Sequence, residues 1–337
     1  MTNVRTAILR GKQEAGRLHR QYDLRERIKN GGNRIDVFDV ITQRGLPLLF
    51  KPLDGLLGVY MDDPMPGILV TTKRPLSVQR LTGAHELGHH QFGHRSSLDD
   101  DSLLKRSPFN TSSNYKQQEL EADAFAIEFM LPPWLFAEHF KRQGWTASMM
   151  ADPIIVYQLS LRIGASYDAT CRCLARPGVE IIDRNTMNNN LNVKPKEIKK
   201  SLLGNYIPED YWGDVWLLTP KDEGSLIEGS RSDLFVLKLT EHSSAGFIWN
   251  FEQINKEGFA VVQDERENAD SDVIGSHLTR SITTQSFGRQ KGEMILVEKR
   301  PWINNESLSK YSLQYDLLGP EEDGWSQAER RRVLEAA

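Results

Sequence analysis

The segment LTGAHELGHHQFGH, residues 81–94, constrains the fold more than any other part of the chain. It contains no proline, and its apolar spacing predicts a helix that faces a core. On such a helix, His85 and His89 lie one turn apart on the same face, so both imidazoles can hold one metal ion. The fold must then bring a third ligand to this face from elsewhere in the chain.

Zinc suits this ligand pattern, at one Zn2+ per chain, because three protein ligands leave an open fourth position in catalytic zinc sites. Glu86 lies beside the two histidines and is the candidate general base, which takes a proton from water and returns it to the leaving amine. Zinc lowers the pKa of its bound water to about 7, so hydroxide is available at neutral pH. The segment therefore predicts a zinc peptidase, with a chance match as the alternative.

Two patterns compete for the third ligand. The metzincin pattern needs a histidine ten residues after the first, but that position is Arg95. The other pattern takes a glutamate from a downstream helix, followed four residues later by an acid. Glu119 and Asp123 fit it on a second predicted helix, over residues 117–131. We expect Glu119 to bind the metal, with Glu121 as the alternative, and Asp123 to accept a hydrogen bond from a ligand imidazole.

A donor that stabilises the tetrahedral oxyanion is also expected in such a site. The sequence does not identify it, and Tyr115 and His94 are the two candidates. His90 and His94 are four residues apart, but Gly93 and the end of the helix weaken them as a second pair of metal ligands. We expect structural or supporting roles for this pair.

With these residues in place, the chain resembles the ImmA/IrrE family of zinc metallopeptidases. The matching segments run in the family's order over about residues 5–176, and they include FDVITQRGLPLLF, RLTGAHELGHHQFGH, ELEADAFAIEFMLP and QLSLRIGASYDAT. The resemblance implies a zincin-like domain of helices with a small sheet at residues 1–176, and a gluzincin-type endopeptidase. It also implies regulated cleavage of a helix-turn-helix, XRE-type transcriptional repressor, triggered by DNA damage or single-stranded DNA in stress response or phage defence.

The charge of the chain indicates no particular partner, because 42 basic and 46 acidic residues give a net charge of only -4. Residues 1–34 contain nine Lys or Arg against three acids, which indicates either a solvated helix face or a basic face for a polyanion. Neither a signal peptide nor a membrane span is expected. Cys171 and Cys173 are too close for an ordinary structural disulfide, so a reducing, cytoplasmic setting is expected.

The composition changes after residue 176. The Asn-rich and then Lys-rich segment 177–206 is predicted to be a linker. Strand patterns at sandwich-like spacing follow over 207–320, and 321–337 is predicted to be a tail with a short helix, started by a capping box at Ser326 and Glu329. The expected fold class is α+β, with an all-β, immunoglobulin-like sandwich after the helical domain.

The second region, residues 207–320, resembles the chagasin family of immunoglobulin-like inhibitors of papain-type cysteine proteases. The segment HSSAGFIW, residues 242–249, looks like the first inhibitory loop, and residues 300–302, Arg-Pro-Trp, look like the third. Gly275 falls where the second loop would lie. The alternative for the whole chain is therefore a regulatory binding protein, either a nucleic-acid sensor or a cysteine-protease inhibitor, with a structural or vestigial zinc site.

Overall fold

The computed structural model describes residues 4–99, 117–268, 278–303 and 307–336. The first part is mainly helical, with four short strands. Its helices are α1 Val4–Gln21, α2 Leu24–Lys29, α3 Val37–Gln43, α4 Leu76–Phe92, α5 Gln117–Met130, α6 Pro133–Gln143, α7 Pro153–Ile163, α8 Tyr167–Leu174, α9 Arg184–Asn192 and α10 Pro195–Leu203. Its strands are β1 Leu48–Lys51, β2 Gly58–Met61, β3 Gly67–Thr71 and β4 Ser97–Asp99.

The second part is built mainly from strands, and the chain ends in a helix. Its strands are β5 Val215–Leu218, β6 Leu226–Glu228, β7 Leu234–Glu241, β8 Ile248–Asn250, β9 Phe259–Asn268, β10 Leu278–Ser286, β11 Lys291–Lys299, β12 Ser307–Asp316 and β13 Gly324–Trp325. Its helices are the short α11 Glu252–Lys256 and the terminal α12 Gln327–Ala336. The α+β class expected from the sequence is thereby confirmed.

The sheet of the helical part has the strand order β13-β1-β3-β2-β4. The hairpin predicted for β2 and β3 is present as an antiparallel pair, and β1 runs parallel to β3. One face of this sheet packs on α4, because Phe50, Ile68 and Val70 are buried in the same core as Leu87 of α4 and Phe125 of α5. This packing fixes the helix that carries the two histidines.

Two four-stranded sheets, ordered β5-β7-β10-β9 and β6-β12-β11-β8, form the second part. Alternate residues point inward along β11, where Met294 and Leu296 are fully buried. Phe235 and Phe259 from one sheet share a core with Tyr315 from the other. Two layers packed over one core make the sandwich that the strand spacing predicts.

The prediction of a linker over 177–206 is wrong, because most of this segment forms α9 and α10. Asp183 caps α9 by accepting a hydrogen bond from the Thr186 amide at 2.7 Å. The Asn190 side chain is buried and donates to the Met150 carbonyl at 3.0 Å. The asparagines and lysines therefore occupy packed helices rather than an irregular connection.

The C-terminal tail returns to the helical part, which the sequence did not indicate. Strand β13 pairs antiparallel with β1 and becomes an edge of the first sheet. Just before it, the Glu321 amide donates to Gln79 Oε1 of α4 at 2.8 Å, and Gln79 Nε2 donates to the Glu321 carbonyl at 3.1 Å. The short terminal helix is confirmed, with the Ser326 hydroxyl accepting from the Glu329 amide.

Buried polar contacts fix the sandwich against the helical part. Arg162 of α7 and Asp222 form an ion pair at 2.8 Å in which both side chains are almost fully buried. Gln143 Nε2 donates to the same carboxylate at 2.8 Å, and the Gln158 side chain bonds backbone groups of β5. The two parts therefore share an interface that excludes water. None of the helices in the described ranges is both long and apolar enough to cross a bilayer.

Replacing Asp222 with alanine tests this interface. The change leaves the Arg162 charge buried without its partner, so the free energy of unfolding should fall by about 3–5 kcal/mol in chemical denaturation. Glu197→Ala breaks an exposed pair with Lys200 and serves as the control, with an expected loss below about 1 kcal/mol. Equal small losses in both variants would contradict a water-excluding interface.

Candidate metal centre

Helices α4 and α5 pack closely against each other at Gly88. A Cβ atom built on Gly88 would lie 3.0 Å from Ala122 Cα and 3.1 Å from Phe125 Cδ1. Any larger residue would push the helices apart. The small pair Gly88 and Ala122 thus allows side chains one turn away on each helix to meet.

Three of the expected site residues come together at this crossing. The ligating atoms of His85, His89 and Glu119 all lie within 4.8 Å of one another, and both histidines are fully buried. The two Nε2 atoms are 3.0 Å apart, and Glu119 Oε2 lies 3.4 Å from His85 Nε2 and 3.7 Å from His89 Nε2. Two imidazole nitrogens and one carboxylate oxygen directed at one point form a cluster that could hold a metal ion.

The charge state of Glu119 fits this arrangement. Burial by itself raises the pKa of its carboxyl group, but the adjacent imidazoles of His85 and His89 outweigh burial and hold the pKa below the usual range. Glu119 therefore stays ionised, as a metal ligand must be.

The outer nitrogen of His85 lies beside Asp123, the residue that we expect to orient it. Asp123 lies on α5, one turn after Glu119, and its Oδ1 atom is 2.8 Å from His85 Nδ1. A carboxylate at Nδ1 favours the tautomer that leaves Nε2 free to bind a metal. Asp123 thus orients one of the two imidazoles.

The second imidazole is held through a relay that sequence reasoning missed. His89 Nδ1 lies 3.0 Å from His94 Nδ1, and His94 Nε2 lies 3.1 Å from Glu121 Oε2. Glu121 is buried, with Gln117 Nε2 donating to its Oε1 atom at 2.9 Å and Arg10 of α1 paired with it. The Glu121 carboxylate therefore orients His89 through the His94 ring, much as Asp123 orients His85 directly.

Glu86, the candidate base, is fully buried under strand β2. A Cβ atom at Gly58 would lie 2.5 Å from Glu86 Oε1 and 2.5 Å from Thr82 Cγ2. Gly58 therefore makes the space that the Glu86 carboxylate occupies. Tyr60 on the same strand packs with its ring nearly parallel to that of His89, with the centroids 6.4 Å apart.

The other residues that the sequence singled out lie in different environments. Tyr115 lies outside the described residues. Both ring nitrogens of His94 are within hydrogen-bond distance of His89 and Glu121, which disfavours His94 as the oxyanion donor. His90 faces Tyr60, with its Nδ1 atom 3.4 Å from the hydroxyl oxygen. Cys171 and Cys173 are both buried and form no disulfide.

The geometry defines a two-helix site with a cluster suited to a metal, joined to a β-sandwich. Two family models match parts of the chain. The Peptidase U49 model matches residues 81–137, and the chagasin family peptidase inhibitor I42 model matches residues 230–316. The first match indicates a peptidase and spans both helices of the cluster, while the narrower ImmA/IrrE and zincin-like assignments stay predictions. The second agrees with the chagasin resemblance.

Solved structures similar to the sandwich include two short chains. The cysteine protease inhibitor EhICP2 from Entamoeba histolytica is 22% identical, over 31% of this chain and 95% of that chain, with a TM-score of 0.27. The solution structure of Amebosin is 19% identical, over 30% of this chain and 94% of that chain, with a TM-score of 0.24. No curated protein shows a significant match to the chain.

Replacing Gly88 with valine should open the crossing of α4 and α5. The new side chain overlaps Ala122, so the free energy of unfolding should fall by about 1–3 kcal/mol, and a cobalt(II) absorbance titration should show weaker binding. Gly16→Val on α1 is the control, because the nearest atom to a Cβ there is the flexible Arg20 Nη1 at 3.6 Å. If Gly88→Val binds cobalt as tightly as the control does, the close crossing does not build the cluster.

Proposed function

We propose that the chain is a zinc-dependent endopeptidase in which His85, His89 and Glu119 hold one Zn2+. The convergence of these three ligating atoms within 4.8 Å carries the proposal. The peptidase family match over residues 81–137 supports it, because the matched segment contains all three residues. Two nitrogen ligands and one oxygen ligand suit zinc and leave its fourth position open, whereas a structural zinc site would fill that position with a fourth protein ligand.

The residues around the cluster have separate tasks in this proposal. Zinc, when bound, polarises a substrate carbonyl and lowers the pKa of water. Glu86 accepts the proton of the attacking water and delivers it to the leaving amine. Asp123 and the pair His94 and Glu121 keep both ligand imidazoles in the tautomer that presents Nε2 to the metal.

We further propose, from the ImmA/IrrE resemblance, that the substrate is a helix-turn-helix transcriptional repressor and that single-stranded DNA triggers cleavage. The exposed basic residues of α1, which include Arg5, Lys12 and Arg20, support contact with a polyanion. No feature of the described fold specifies which repressor is cleaved. If a neighbouring gene encodes such a repressor, its protein product is the first candidate substrate.

Glu86→Gln should retain zinc and lose cleavage, because the amide cannot accept the proton of water. We expect the cleavage rate to fall by about 100-fold to 10,000-fold, which is the usual contribution of a general base to the rate. The assay is gel-based, with the neighbouring repressor, zinc, and single-stranded DNA present or absent. Glu26→Gln, an exposed change on α2, is the control. A mutant that holds zinc and still cuts at the wild-type rate would remove Glu86 from the mechanism.

His94→Ala should weaken zinc binding by about 10-fold to 100-fold, because the His89 ring loses the group that orients it. Competition with a chromogenic chelator measures this affinity directly, without a substrate. His90→Ala removes a neighbouring histidine that faces Tyr60 instead, and its zinc affinity should match that of the wild type. Equal affinities in the two variants would mean that the relay through Glu121 has no effect on the metal.

A second candidate function belongs to the sandwich, and the chagasin family match over residues 230–316 favours it. The two loops that resemble inhibitory loops touch each other. Gly246 has a left-handed φ of 82°, and a Cβ there would lie 2.9 Å from Trp302 Cη2. The Arg300 guanidinium lies over the Phe247 ring at 4.4 Å, and Trp302 is 70% exposed. An exposed tryptophan on a braced loop is suited to binding a protein.

Papain is the probe for this second function. If the loops bind a cysteine protease, the chain should inhibit papain, and Trp302→Ala should weaken inhibition by about 10-fold or more, as removal of a binding hot spot does. Trp325→Ala, which changes a half-exposed tryptophan on β13, should leave inhibition unchanged. Absence of inhibition by the wild type would leave the sandwich without this role and would not affect the zinc site.

A further inference from the structure

A cleft of about 270 Å3 lies where α4, α7 and the sandwich meet. It is separate from the metal cluster and uses the opposite end of α4. Ser77 and Arg80 come from α4, Ser160 and Gly164 from the end of α7, and Trp212 and Trp216 from the start of the sandwich. Trp216 is buried, and Trp212 is 88% exposed at the rim. The lining therefore combines two apolar indole rings with the polar side chains of Ser77, Arg80 and Ser160.

Arg80 is the feature of this cleft that needs an explanation. Its side chain is only 4% exposed, yet its buried Nε atom has no hydrogen-bond partner, and among the described residues no carboxylate lies within ion-pair distance of it. Burial, followed by the nearby Arg34 charge, lowers the pKa of Arg80 to about 9. Arg34 itself is paired with Asp36 and Glu228. Glu228, Asp36 and Glu321 lie near enough to raise the pKa, but they do not outweigh burial and none is in ion-pair contact with Arg80. A buried charge without a directly paired carboxylate is costly, so a bound counter-ion is the physical expectation.

The start of α4 supplies further donors at the same place. Pro75 precedes the helix and provides no side-chain cap, and no acidic residue lies in the first turn. The amides of Val78 and Gln79 donate to the Pro75 carbonyl. In the described part of the chain the amides of Leu76 and Ser77 have no acceptor. Free amides and the positive end of the helix dipole favour an anion here.

The other charged groups of the cleft limit the charge of that anion. Asp233 accepts hydrogen bonds from the Asp214 and Ser230 amides and from Trp216 Nε1, and Glu228 is paired with Arg34. The Asp214 carboxylate accepts a hydrogen bond from the Tyr157 hydroxyl and is paired with Lys199. These carboxylates are satisfied by the protein and would repel a multiply charged ligand. A carboxylate fits better than a phosphate dianion.

We propose that this cleft is a ligand site for a singly charged carboxylate with an aromatic or apolar body. The carboxylate binds Arg80 and the first amides of α4, and the body lies against Trp212 and Trp216. Such a ligand would join α4 to the sandwich, because its two ends contact different parts of the chain. Occupancy should therefore stabilise the whole protein against unfolding, as any ligand specific for the native state does.

Sodium benzoate is the probe, and benzamide is the uncharged analogue that serves as its control. Titration followed by tryptophan fluorescence and by thermal unfolding should show saturable binding of benzoate and none of benzamide. Arg80→Met should weaken benzoate binding by about tenfold or more, because a charge-assisted hydrogen bond is lost. Arg231→Gln, which removes an exposed charge beside the cleft but outside its lining, should bind like the wild type.

The same variants separate a ligand site from a purely structural arginine. Without ligand, Arg80→Met should unfold at the wild-type temperature or above it, because the change removes an unpaired buried charge. The proposal is overturned if Arg80→Met is less stable than Arg231→Gln in the absence of ligand. It is also overturned if benzoate does not bind the wild type, if benzoate binds Arg80→Met equally well, or if inorganic phosphate binds more tightly than benzoate.

Discussion

The close crossing of α4 and α5 is the constraint on which the candidate site depends. His85 and His89 are brought onto one face by helix geometry alone, but a third ligand requires a second backbone within a few ångströms. Gly88 permits that approach, since even a Cβ atom at this position would lie 3.0 Å from Ala122 Cα. The crossing then places Glu119 near the Nε2 atoms of both histidines and Asp123 beside Nδ1 of His85. Metal ligands and the groups that orient them thus follow from one packing contact.

The opposite end of α4 is held by parts of the chain that come late in the sequence. Gln79 exchanges two hydrogen bonds with the backbone of Glu321, and strand β13 completes the sheet on which the helix rests. The buried pair of Arg162 and Asp222 fixes the sandwich to the same region. The sandwich and the tail are therefore part of the frame that supports the cluster. This frame also encloses the cleft at Arg80, so a ligand there would bind to the helix that carries the histidines.

Local patterns in the sequence indicated the site better than the frame around it. The spacing of His85 with His89, and of Glu119 with Asp123, is set by the helix repeat, so these groups could be found without a structure. The relay from His89 through His94 to Glu121 depends on how three helices pack, so the sequence indicated a supporting role for His94 without showing its two partners. The linker prediction failed because two short helix-start signals, the cap at Asp183 and the proline that starts α10, lie within an asparagine- and lysine-rich composition that is typical of connections. Two-residue strands such as β13 have no local signature, so the return of the tail could not be foreseen.

The zinc content of the purified protein, measured by elemental analysis beside that of Glu119→Ala, tests the central claim most directly. We expect one zinc per chain in the wild type and a loss of most of it in Glu119→Ala, since two imidazoles alone hold the ion weakly. The Glu119 side chain is 12% exposed, whereas both histidines are fully buried, so the variant should stay folded, which circular dichroism can check. A wild type that binds no zinc, or a folded Glu119→Ala that retains a full equivalent, would contradict a metal centre built from His85, His89 and Glu119.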